Sequence, residues 1–125
     1  MEKKIDERTF EFALEIIDLY KYMIGNKEYI LCKQVLRSGT SIGANVQESQ
    51  AAQSKADFIS KMSIASKEAR ETKYWLRLLG QSGYLDGYLR KDAILANVNS
   101  IINIITKIVK TSSQNENSVN SKPKT

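Results

Sequence analysis

From Phe10 onward, apolar residues recur at steps of three and four, the spacing that sets side chains on one face of an α-helix. In the first segment Phe12, Ile16, Leu19 and Met23 form one stripe, and Phe10, Leu14, Ile17 and Ile24 form a second beside it. A helix with two adjacent apolar stripes buries more than one side. The next segment places Leu31, Val35, Ser38, Ile42, Val46 and Ser49 on a stripe in which large and small residues alternate. A third runs Phe58, Met62, Ala65, Ala69, Thr72, Leu76 and Leu79, and a fourth runs Ile94, Val98, Ile101, Ile105 and Ile108. Isoleucine favours sheets, but steps of three and four rather than two predict helix here.

Turn chemistry supplies the boundaries. Gly25-Asn26 ends the first helix, and Ser54 with Asp57 three residues on resembles a capping box that opens the third. Gly80 with Ser82-Gly83 ends the third, and Gly87 marks a short link to the fourth. The only proline, Pro123, lies in the tail, so nothing earlier forbids long helices. Short connections between long helices predict an all-α, up-down-up-down antiparallel four-helix bundle over residues 1–110. Beyond Lys110 the stretch TSSQNENSVNSKPKT has a single aliphatic residue and no period, which predicts a disordered polar tail over 111–125.

Inside the second segment, RSGTSIGANVQES raises a choice between a ligand-gripping loop and a closely packed helix. It lacks the GxxxxGK[ST] lysine and the GxGxxG spacing and follows no strand, which removes the phosphate-loop reading. Gly39 and Gly43 each cost a helix about 1 kcal/mol against alanine. Their presence predicts close packing, with a neighbouring backbone approaching at these positions.

Composition narrows the chemistry. The 125 residues, 42% of them hydrophobic, suit one domain with a real core. No apolar run approaches the length needed to cross a bilayer, and MEKKIDERTF is charged where a signal peptide is apolar; a cytoplasmic protein without a membrane partner is expected. With one cysteine and no histidine, zinc clusters, Cys-His pairs and imidazole bases are removed together. A ferritin-like centre needs Glu-x-x-His pairs, and no spacing announces an all-oxygen magnesium site. No enzyme, metal or cofactor is therefore expected. Arg37, Asn45, Glu48, Glu68, Arg70 and Glu71 are read as a structural polar network tying the second helix to the third. Cys32 is read as a small buried hydrophobe rather than a reactive thiol.

The net charge is +5, and its distribution matters more than its total. Acids outnumber bases in the first 25 residues, while bases outnumber acids from 53 to 110. On the third helix Arg70, Lys73 and Arg77 fall within about 60° of one another at 100° per residue, with Lys67 flanking them. Arg90, Lys91, Lys107 and Lys110 add charge in and before the fourth. Such a face suits nucleic-acid phosphates, and Lys67, Arg70, Lys73, Arg77, Arg90 and Lys91 are the candidate contacts. Base stacking is not supported, since only KYW at 73–75 interleaves aromatic and basic residues. Trp75 and Leu78 lie off the core stripe and are costly to leave in water, so they pack on a neighbouring helix or on a second subunit.

RSGTSIGANVQES followed by KADFISKMSIASKEARETKYWLRLL resembles the four-helix-bundle family of 23S ribosomal-RNA intervening-sequence proteins, over roughly residues 5 to 110. The residues that carry the likeness are Arg37, Ser41, Ile42, Asn45 and Glu48 in the first motif, and Lys67, Glu68, Ala69, Glu71 and Tyr74 in the second. The family is related to the accessory variability protein of diversity-generating retroelements. That relation implies a homopentameric ring that binds RNA or DNA and partners a reverse transcriptase. The combined expectation is a non-enzymatic basic bundle that assembles with itself and contacts phosphates, as an accessory to a nucleic-acid enzyme. The alternative is a structural or adaptor protein that binds another protein and has no nucleic-acid role.

Overall fold

The computed structural model describes residues 3–120, with side chains described through residue 114. Four helices account for the fold: α1 Ile5–Gly25, α2 Leu31–Gln50, α3 Lys55–Gln81 and α4 Lys91–Asn120. There is no strand among the described residues. Each helix packs on its neighbour in sequence, and α4 returns to α1 to complete a bundle, with the α1–α4 seam the thinnest of the four.

The stripes read from the sequence form its core. Phe12, Ile16, Leu19 and Met23 of α1 meet Val35, Ile42 and Val46 of α2, Met62, Leu76 and Leu79 of α3, and Ile94, Val98, Ile101 and Ile105 of α4. Burying each large aliphatic contributes roughly 1.5–3 kcal/mol. The second stripe of α1 stays outside: Phe10 is 65% and Leu14 53% exposed, and Ile17 and Ile24 are also exposed.

Small residues decide how near the helices come. A Cβ on Gly39 would stand 2.7 Å from Ile16 Cγ1, and one on Gly43 would stand 3.2 Å from the Thr9 carbonyl oxygen. Between α2 and α3, Thr72 Oγ1 donates to Ser38 Oγ at 2.9 Å, so two buried hydroxyls satisfy each other at a close crossing.

Two different devices start α2 and α3. The Ser54 hydroxyl accepts from the Asp57 amide at 3.0 Å, the cap the sequence suggested. At α2 the residue before the helix is Ile30, which has no side-chain cap. Glu28 replaces it: its carboxylate accepts from the amides of Ile30, Leu31 and Cys32 at 3.3, 3.0 and 2.8 Å. Burial raises the Glu28 pKa, but the three backbone donors and the Cys32 thiol outweigh it and hold the carboxyl below its ordinary value.

α4 departs from expectation in two ways. It continues to Asn120, past Lys110 where a disordered tail was expected to begin. No glycine or proline interrupts residues 111–120, and propagating an existing helix adds a hydrogen bond without a new nucleus. The remainder of the expected tail, 121–125, lies outside the described residues. In addition, Lys91–Gln114 is long and apolar enough, by length and composition alone, to cross a membrane. This corrects the reading that no such stretch exists; Asn97, Asn99, Ser100 and Asn103 interrupt its apolar residues and obscure it.

Candidate nucleic-acid interface

The polar surface is sorted by which neighbour each flank of α3 faces. On the flank toward α2, Arg37 reaches across to pair with Glu68 at 3.4 Å and with Glu71. Trp75 Nε1 donates to Glu71 Oε2 at 3.2 Å, and its ring packs partly buried against the core. Arg37 is half exposed, so this cluster is worth about 1 kcal/mol or less and acts mainly to fix register.

The expected network is therefore only partly assembled. Arg37, Glu68 and Glu71 come together, with Trp75 as a member the sequence did not supply. Asn45 instead donates to the Ser41 carbonyl within its own helix at 2.9 Å, and Glu48 pairs with Lys61 at 3.3 Å. Successive turns of α2 carry these side chains beyond reach of Arg37. Leu78 stays 40% exposed on the outer face of α3, beside exposed Tyr74.

The other flank of α3 faces α4 and is basic. Arg70 Nη2 donates to Thr106 Oγ1 at 3.2 Å across that groove. Lys67, Arg70, Lys73 and Arg77 form no ion pair among the described residues, because the α3 carboxylates lie on the α2 side. Arg90 precedes α4 and Lys91 opens it; the Lys91 Cε sits 3.4 Å from where a Cβ on Gly80 would be. The structure thus places Lys91 at one end of the α3–α4 groove and Arg70 farther along it.

Two clefts flank the C-terminal half of α4. One, of about 290 Å³, lies between α3 and α4 and is lined by Ser63, Ser66, Arg70, Thr106, Val109 and Lys110. The other, of about 620 Å³, opens on the α1–α4 seam, where Arg8 and Lys107 meet Ile104, Ile108, Thr111 and Ser112. There Arg8 Nη2 donates to Ser100 Oγ at 2.7 Å. Sequence reading missed Arg8, which sits in the acid-rich first segment, 92 positions from its partner. It also missed the hydroxyls, which have no motif.

The remaining reactive groups are occupied structurally. Burial and the Glu28 charge push the Cys32 thiol up, and Sγ donates to the Glu28 carbonyl at 3.0 Å. No group of three or more His, Cys, Asp or Glu suited to a metal occurs among the described residues. On the α1–α4 seam, Asn97 Nδ2 donates to both Glu15 oxygens at 2.9 and 3.0 Å, and in the link before α4 Tyr88 donates to Asp18 on α1 at 2.8 Å.

Comparison with known proteins agrees with this architecture. Residues 1–111 match the family described as 23S rRNA-intervening sequence protein. A solved structure, described as a protein with unknown function from the S23 ribosomal protein family of Bacteroides thetaiotaomicron, is 44% identical, with a TM-score of 0.82. The likeness covers 86% of this chain and 99% of that one. A search of curated proteins gave no match.

Proposed function

Since the chain belongs to the 23S rRNA-intervening sequence protein family, we propose that it acts as a non-enzymatic, self-associating bundle that binds RNA or DNA through phosphate contacts. The observation that carries this reading is the sorting of charge on α3. Glu68 and Glu71 are engaged by Arg37 on the α2 side, whereas Arg70 reaches Thr106 on the α4 side, and Arg70, Lys73 and Arg77 form no ion pair among the described residues. A groove of one sign attracts a polyanion and holds it by its backbone, not its bases.

Self-association is supported by the exposed α1 stripe of Phe10, Leu14, Ile17 and Ile24, an apolar face with no partner within the described chain. Contacts along α1 and α2 run in opposite order, Ile16 with Gly39 and Thr9 with Gly43, which supports the up-down-up-down course. The five-membered ring and a role beside a nucleic-acid enzyme such as a reverse transcriptase are drawn from the resemblance alone, and the cytoplasmic setting from the charged N-terminal stretch. A second reading, an adaptor for another protein, is favoured by the same α1 stripe.

Light scattering coupled to size exclusion separates the two. The proposal expects a particle of several chains that shifts with a mixed short RNA and DNA pool at low salt and not at high salt, because phosphate binding weakens steeply with salt. An assembly indifferent to nucleic acid at every salt concentration would refute the binding role and leave the adaptor reading.

A further inference from the structure

The two clefts beside α4 share one construction. In each, an arginine from a neighbouring helix reaches α4 and is held there by a hydroxyl: Arg8 by Ser100 at 2.7 Å, Arg70 by Thr106 at 3.2 Å. Each also contains an exposed α4 lysine, Lys107 in the first and Lys110 in the second. Among the described residues, neither is lined by a carboxylate. The acids of the adjoining cleft, Glu11 and Glu15, are engaged by Lys3 at 2.7 Å and by Asn97.

The geometry points to a nucleic-acid path that crosses the C-terminal half of α4, seating one phosphate in the Arg8–Lys107 cleft and another in the Arg70–Lys110 cleft. This rests on the nucleic-acid reading above and moves its centre away from the Arg90–Lys91 end of the helix. A guanidinium already oriented by a neutral hydroxyl keeps its remaining N–H donors for a phosphate and loses less freedom when it binds one. The hydroxyls of Ser66 and Thr111 add neutral donors that suit a tetrahedral oxyanion. A helix is about 10–12 Å across, so the two seats on its flanks take two separate phosphates of one strand. Lys107 and Lys110, three apart and about one turn along α4, place one ammonium in each seat.

The test is fluorescence anisotropy with a labelled single-stranded RNA, from low to high salt, on the full chain. Lys107→Gln with Lys110→Gln is compared with Lys21→Gln and Lys33→Gln, a pair that removes the same charge from exposed positions on α1 and α2. The crossing path expects the α4 pair to lose at least about tenfold in affinity at low salt and to flatten the salt slope by about 1.4, at 0.7 per single-strand contact. The control pair should stay within about twofold of the parent, and Arg8→Gln and Arg70→Gln should each weaken binding on their own. Equal losses from both pairs, with the parent binding well, would overturn the path and leave general nucleic-acid binding intact. A parent protein that binds no RNA at low salt would overturn both.

Discussion

Replacing Gly39 with alanine sets two opposing effects against each other, and the structure decides between them. In a helix interior the change favours folding by about 0.8–1 kcal/mol through propensity alone. The new Cβ, however, would lie 2.7, 2.9 and 3.0 Å from Cγ1, Cγ2 and Cδ1 of Ile16. Two of these atoms branch directly from the Ile16 Cβ, and the residue is fully buried, so no flexible end can swing aside. Overpacking of this kind costs about 1–3 kcal/mol, which predicts a net loss of up to about 2 kcal/mol. Gly25, with nothing within 4 Å of its added Cβ, serves as the comparison, and its alanine variant should be neutral or slightly stabilised. Urea unfolding at one fixed protomer concentration measures both, since association shifts apparent stability. A double-mutant cycle with Ile16→Ala completes the test: removing all three contacted atoms should make Gly39→Ala favourable in that background, with a coupling of about 1 kcal/mol or more. If Gly39→Ala stabilises the parent as Gly25→Ala does, or the two changes at 16 and 39 simply add, the close-approach argument fails.

The buried carboxylate of Glu28 gives a pH dependence with a definite sign. Because its folded pKa lies below the unfolded one, its contribution is complete above the ordinary carboxylate range and disappears as pH falls through the folded value. Glu28→Ala should cost about 0.5–2 kcal/mol at neutral pH and remove this part of the acid sensitivity, as read from denaturation midpoints between acid and neutral pH. For Tyr88, burial followed by the hydrogen bond and charge of Asp18 pushes the phenol well above the usual tyrosine range. Alkaline absorbance titration should therefore find a tyrosine that stays neutral while exposed ones ionise, and Tyr88→Phe should abolish that late component. Phe10→Glu with Leu14→Glu should dissociate the proposed assembly in light scattering while circular dichroism stays unchanged; an assembly that survives would show that the α1 stripe is not the contact.

The helical core was legible because one period ran through each segment without interruption. The stripes Met62 to Leu79 and Ile94 to Ile105 are buried as the pattern implied. For α1 the pattern offered two stripes, and only three-dimensional packing shows that Phe12 to Met23 turns inward while Phe10 to Ile24 does not. The Ser54 cap followed a local rule, and local rules are what a single sequence conveys best. Glu28 was missed because it caps α2 from outside the usual position, through backbone donors that Ile30 does not serve. Arg8 and Thr106 were missed for a different reason: their roles exist only where distant helices meet, and hydroxyl residues on an exposed helix carry no spacing signal. Asn45 and Glu48 failed to join Arg37 because shared ion chemistry says nothing about which turn of a helix a side chain occupies.

The thin α1–α4 seam also bears on how the chain reaches this fold. The other three contacts join helices adjacent in sequence and form by closing short loops. The seam instead joins Arg8 to Ser100 and Glu15 to Asn97, and Asp18 bonds Tyr88 in the link just before α4, separations of 92, 82 and 70 residues. Nearly the whole entropy of long-range loop closure thus falls on one junction, which is held in large part by polar bonds. That makes the seam the weakest line of the bundle, and partial opening is expected to separate α1 from α4 before the other pairs. The Arg8–Lys107 cleft lies on this line, so a polyanion gripping both flanks of α4 would act as an external brace, slowing the separation of the chain's first and last helices.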